Sequence, residues 1–246
     1  MAAEVPETSP LHQFVIQRWV PLHIGPVDLS FSNSAAYMAG AVVLITAFLL
    51  LSMRGAALVP TRWQSVAELF YEFVANMVRD NAGSRGRPYF PFIFSLFMFV
   101  LFGNLIGMVP FGFTFTSHIV VTFALALFIF AAVTVIGLAL HGWRFFTRFA
   151  PKGVPVVLLI LLVPIEIISY CIRPFTLAIR LFANMMAGHT MLVIFAGFVV
   201  AMGIFGILPL AFNVAFILLE LLVAVLQAYV YTILTCIYLS EAIHLH

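Results

Sequence analysis

Charge is what this chain has least of. Only 8% of its 246 residues are Asp, Glu, Lys or Arg, 64% are hydrophobic, and the mean hydropathy is +1.18. Soluble domains carry about a quarter charged residues, so a soluble globular domain is excluded. The fold class that remains is all-α, a polytopic membrane bundle forming one membrane domain over 1–246. The net charge of +2 is too small to point to a nucleic-acid partner. Cysteine is nearly missing: Cys171 and Cys236 both lie in apolar sequence and are expected to be two buried small hydrophobes, with no disulfide and no metal pair. The opening stretch, MAAEVPETSP, has no basic n-region, so no cleaved signal peptide is expected. The loop NAGSRGRP has neither a preceding strand nor a following GK[ST], which favours a solvated loop over a phosphate-binding one.

Long apolar runs are what the chain does have. Residues 1–34, with Pro6, Pro10, Pro21 and Pro26, read as an extramembrane arm. Residues 35–52 make a first span near the lower length limit for crossing about 30 Å of hydrocarbon. Residues 61–80 differ. Trp63, Val66, Ala67, Phe70, Phe73, Val74, Met77 and Val78 recur at helical spacing, while Arg62, Glu68, Glu72, Asn76 and Arg79 take the other side. Thr61 with Gln64 after Pro60 makes a capping box, so an amphipathic helix on the membrane surface is expected. Residues 89–140 form a helical hairpin of two spans, Tyr89 to Val109 and Ser117 to Leu140, with Pro110 ending the first. Its GNLIG spacing favours close helix contact.

Residues 154–246 contain two stretches with no charged loop, Val154 to Ala196 and Pro209 to the C-terminus, punctuated by Gly197, Gly203, Gly206 and Pro209. As helices they would be about 65 and 57 Å long at about 1.5 Å per residue. They must tilt steeply, lie nearly in the membrane plane, or break, with Pro164 and Pro174 as candidate bends. The basic residues set an orientation. Arg54, Arg62, Arg79, Arg85 and Arg87 precede the second span, and Arg144, Arg148 and Lys152 follow the third, whereas Arg18 stands alone on the other side. The positive-inside rule places the arm outside and both basic loops, with the C-terminal EAIHLH, in the cytoplasm. His141 and Trp143 suit the cytoplasmic interface, His118 is expected at an outer turn, and His244 with His246 reads as a frayed terminus rather than a metal pair.

Arg173, Arg180, Glu166 and Glu220 are left inside apolar sequence, with Glu241 near the end. A charge at the bilayer centre costs about 2.5–3.5 kcal/mol even on lenient scales. Glu166, Arg173 and Arg180 are seven apart on nearly one helix face, continued by Asn184. Glu220 and Gln227 repeat that spacing on the last helix, with Tyr231 one turn on, and His189 lies well off the arginine face, where Glu220 is the obvious partner. Two readings stand: an Arg180–Glu220 ion pair gluing helices, or a path for ions or protons. His and Glu exchange protons once their surroundings shift them, whereas Arg stays protonated and acts as a barrier. No inverted repeat marks a transporter, so a subunit working against another membrane protein competes with a stand-alone secondary transporter or ion channel and with a purely structural scaffold.

RLFANMMAGH, LLELLVAVLQAYVYTILTCIYLSEA and NLIGMVP resemble the signatures of subunit a of the F-type ATP synthases, the membrane stator facing the c-subunit ring. The resemblance implies a first span, a surface helix, a hairpin and two long inclined helices against the ring. It implies that Arg180 faces the proton-carrying carboxylate of the c subunit, with Asn184 and Gln227 lining the same interface. His189 and Glu220 fall where the family has an interacting pair in the outer half-channel, here with His first, and Glu166 and Arg173 are candidates for the exit half-channel. Where some members carry an acid in the second span this chain has Asn104, so no proton-carrying role is expected there. By the same resemblance the subunit is non-catalytic and needs no cofactor or metal. Its partners are the c-subunit ring, the b subunits of the peripheral stalk, the remainder of the F1Fo complex and the lipid bilayer. A bacterial inner membrane is the implied location, with the mitochondrial inner membrane as the alternative.

Overall fold

A computed structural model describes residues 15–20, 23–24, 27–28, 30–55, 57, 59–109, 112–149 and 156–244. The expectations for the residues before 15, for Pro21, Pro26 and Pro110, for Lys152 and for His246 fall outside that set. Two short antiparallel strand pairs make up the described part of the arm: β1 (Arg18–Val20) with β4 (Phe31–Ser32), and β2 (His23–Ile24) with β3 (Val27–Asp28). Six α-helices follow: α1 (Asn33–Met53), α2 (Arg62–Ala82), α3 (Phe90–Gly107), α4 (Ile119–His141), α5 (Val156–Ala201) and α6 (Ile207–Ile243). All but α2 lie in segments long and apolar enough to cross a membrane. The protein is an all-α, multi-pass membrane protein.

Local chemistry sets the helix ends. The Ser32 hydroxyl accepts from Ala35 N–H at 3.4 Å and the Thr61 hydroxyl from Gln64 N–H at 3.4 Å, so both helices start on side-chain caps. The capping box at Thr61 is only half made. The Gln64 side chain turns instead to the Ala57 backbone and to the Glu68 carboxylate, at 3.1 Å and 2.7 Å from its amide nitrogen. Pro164 and Pro174 do not break α5, which runs through both for 46 residues. Each proline removes one backbone hydrogen bond, a loss that packed membrane helices tolerate. Between α5 and α6 the chain reverses at Gly203, whose φ of 54° is a left-handed conformation that suits glycine.

The chain divides into two compact units, and α3, α5 and α6 each contribute one end to either. The first comprises 1–54, 98–119 and 181–228. Here α1 meets α3 through Phe48 and Phe102, rings 5.7 Å apart, and the wholly buried Asn104 of α3 donates to the Ala224 carbonyl of α6 at 3.2 Å. The two glycines of GNLIG make room for the chain that returns after α3. A Cβ at Gly103 would collide with the Phe115 ring and one at Gly107 with Thr114, 2.7 Å away.

The second unit comprises 55–97, 120–180 and 229–246. α2 buries Ala67, Val74, Met77 and Val78 there but leaves Trp63 69% exposed, so one part of its apolar stripe packs on the protein and another is free for lipid. α4 meets α5 through the Thr134 and Tyr170 hydroxyls, 2.6 Å apart, and the His141 ring nitrogen lies 3.0 Å from the Ile243 carbonyl at the end of α6. Cys236 is buried as expected, but Cys171 is exposed and both are free. Only a narrow stripe of α5 turns inward, including Tyr170, Pro174, Leu177 and Leu181, and Cys171 lies outside it.

Candidate functional site

α5 and α6 leave most of their length uncovered by this chain: 11% of the apolar window of α5 and 17% of that of α6 are buried, against 50% for the span containing α3. Where polar groups fall relative to the covered stripe decides what each can do. On α6, Glu220 is 3% exposed and Gln227 is 8% exposed, both turned inward. On α5, Asn184 and Glu166 are half-buried. Arg180 is exposed beside Ile179 and makes no ion pair with any described residue. A guanidinium left facing lipid would be costly.

Within the first unit, His189 of α5 and Glu220 of α6 form a buried pair, Nδ1 to Oε1. The other ring nitrogen, Nε2, lies 3.0 Å from the Gly107 carbonyl and 2.5 Å from the Thr114 hydroxyl, which itself donates to that carbonyl at 3.1 Å. A carbonyl only accepts, so Nε2 carries a hydrogen in this arrangement. The link between Nδ1 and Oε1 must then hold one further proton, as imidazolium on carboxylate or as carboxylic acid on neutral imidazole. Either way the pair has no net charge and one transferable proton. Glycine makes the approach possible: a Cβ at Gly188 would stand 2.8 Å from Glu220 Oε1. The second carboxylate oxygen, Oε2, is buried with no hydrogen bond.

A cavity of about 770 Å³ opens onto the histidine of this pair. His189 lines it together with Gln17, Asn33, Tyr37 and Asn213, whereas Glu220 does not. Asn33 ties the arm to this wall: its amide donates to the Val15 carbonyl at 3.2 Å, and its carbonyl accepts from Gln17 N–H at 3.2 Å and Ser34 N–H at 2.9 Å.

The second unit holds a separate polar cluster. Arg173 pairs with Glu241 of α6 and lies over the rings of Tyr170, at 5.4 Å, and Tyr238, at 4.8 Å. Glu166, although seven residues from Arg173, takes no part in that ion pair. Sequence reasoning gave Glu241 no role, although it lies fourteen residues past Gln227 and so continues the seven-residue stripe of α6. Thr114 was missed altogether, since it sits in an irregular loop where no periodicity points to a neighbour, and Gly107 was singled out only for its place in the GNLIG spacing, not for its carbonyl.

Residues 35–240 match the family described as ATP synthase A chain. Three relatives bearing the name ATP synthase subunit a are similar over nearly their whole lengths. The protein of Paramagnetospirillum magneticum is 58% identical, covering 97% of this chain and 99% of the relative. That of Parvibaculum lavamentivorans is 59% identical over 96% and 94%, and that of Mesorhizobium japonicum 53% over 99% of each.

Proposed function

The chain belongs to the ATP synthase A chain family, and on that premise we propose that it is the non-catalytic membrane stator that passes protons to and from a ring of c subunits. The observation that carries this reading is Arg180, a permanent cation left exposed in an apolar helix and ion-paired with no carboxylate among the described residues. A passing ring carboxylate is the neighbour that satisfies it. The b subunits of the peripheral stalk and the remainder of the F1Fo complex hold the stator still while the ring turns in the lipid bilayer.

Protons enter from outside through the cavity beside the arm. They reach His189, which the cavity touches, and pass through Nδ1 to Glu220, which it does not. Oε2 of Glu220, without a hydrogen bond among the described residues, leaves that carboxylate able to take up the proton that passes on toward the ring. Once neutral, that ring site can turn into lipid, which a charged one could not do cheaply. On return, the field of Arg180 favours the ionised carboxylate and expels the proton toward the cytoplasm. Asn184 and Gln227 line this interface, and Glu166 and Arg173, the latter held by Glu241, belong to the exit path. Arg180 blocks a direct leak between the two. Each proton supplies about 2.3 kcal/mol per 100 mV, so many are needed for each ATP. The basic loops face the cytoplasm of a bacterial cell, with the arm outside its inner membrane.

Cysteine cross-linking tests the premise. Ile179→Cys, beside Arg180 on the exposed face, should cross-link to a cysteine placed next to the ring carboxylate in the assembled complex. Absence of cross-links, with ion flux through the isolated chain in liposomes, would establish the stand-alone channel instead.

A further inference from the structure

We propose that Thr114 is a positioning residue for His189, its hydroxyl keeping Nε2 hydrogen-bonded whether that nitrogen holds a proton or has given it up. The inference rests on the reading of His189 and Glu220 as a proton relay. A relay through imidazole needs each ring nitrogen to exist in both forms, and a buried nitrogen in either form needs a partner. The Gly107 carbonyl, 3.0 Å from Nε2, serves only the protonated form. Against a bare Nε2 it would set one lone pair facing another, a mismatch that by itself would lock the ring with its hydrogen on Nε2.

A hydroxyl does not have this limitation. With Nε2 protonated, Thr114 Oγ1 accepts from it at 2.5 Å and points its own hydrogen at the Gly107 carbonyl, 3.1 Å away. With Nε2 bare, the same hydrogen turns about the Cβ–Oγ1 bond and is donated to the ring. No heavy atom moves, and the hydroxyl keeps its own hydrogen throughout, so Thr114 orients the carrier without carrying protons itself.

The surroundings hold the side chain in place for this. Thr114 is 2% exposed, the Ser117 hydroxyl donates to its carbonyl at 2.6 Å, and Gly107 leaves open the space into which a Cβ would bring an atom 2.7 Å from Oγ1. The residue sits in the loop after α3, 75 positions from the histidine it serves.

The test compares two substitutions that separate shape from chemistry. Thr114→Val keeps the shape and removes the hydroxyl; Thr114→Ser keeps the hydroxyl and removes a methyl group. Passive proton conduction is measured in vesicles carrying the assembled membrane sector, stripped of the soluble head, with Glu220→Gln run beside them. Thr114→Val should slow conduction about tenfold, the effect of stranding one buried polar group, and Thr114→Ser should keep the greater part of the rate. If Val conducts well and Ser does not, Thr114 is a packing residue and the proposal is overturned. If Glu220→Gln slows the flow and Thr114→Val does not, the role of Thr114 falls while the relay stands. An unchanged rate in Glu220→Gln overturns the relay itself. Should Thr114→Val fail to assemble, nitrogen-15 resonances of His189 in the unsubstituted and Thr114→Ser complexes decide: a hydrogen-bonded Nε2 is expected in both, and an Nε2 without a hydrogen bond overturns the proposal.

Discussion

His189 and Glu220 meet through Nδ1 and Oε1 although 31 residues, and the whole turn between α5 and α6, lie between them. Two helices that reverse at Gly203 thus bring an imidazole and a carboxyl group together at a buried point. The pairing leaves Glu220 committed to the histidine through Oε1 and keeps it out of the cavity that His189 touches. This order, cavity then imidazole then carboxylate, is what makes the pair a relay in the proposed function rather than a clasp between helices.

Substitution of Arg180 by Ala should leave the complex assembled, since the side chain is exposed and ion-pairs with no acid among the described residues. ATP-driven proton pumping into inverted vesicles should be abolished. Retained coupled pumping would remove the role assigned to this residue, and loss of assembly would favour the scaffold reading.

Glu220→Gln should slow passive proton conduction by about tenfold or more, because it removes one of the two groups that exchange the proton. Exchanging the pair, His189→Glu with Glu220→His, should be milder than either change alone. Damage in the double variant equal to the sum of the two single effects, taken as free energies, would mean that the two act independently.

Gly188→Ala should harm conduction more than folding. The new methyl would stand 2.8 Å from Glu220 Oε1, and the end of that flexible side chain gives way more readily than a backbone would. The expected result is a several-fold loss of proton flow with little change in the thermal stability of the complex, compared in parallel with Gly197→Ala, where a Cβ meets nothing within 4 Å.

His118, in the turn between α3 and α4, stacks on Phe113 with ring centroids 5.0 Å apart, and burial holds its pKa below the ordinary 6.5. A lowered native pKa means that the unfolded turn binds the proton more readily. The histidine's contribution is complete above pH 6.5 and is lost as the pH falls through the lower native value. The opening equilibrium over 112–118, taken from amide exchange after correction for intrinsic rates, should therefore rise on acidification, and less so in His118→Gln. A proton NMR titration midpoint at or above 6.5 would contradict the burial argument.

The membrane, the helices and the stripes of charge were legible from the order of residues alone, because hydrocarbon thickness and the 3.6-residue helical repeat act on every segment locally. Nearly uncharged runs such as that from Val154 to Ala196 can only be helices in lipid, and seven-residue spacing puts Glu220 and Gln227 on one side wherever the helix lies. Partner choice was not legible. That Arg173 takes Glu241, that GNLIG clears space for Phe115 and Thr114, and that a loop hydroxyl reaches the far nitrogen of His189 depend on how distant segments close on one another. Hydrogen bonds and van der Waals contacts reach only a few ångströms, so they are decided by that closure and by nothing a local pattern records.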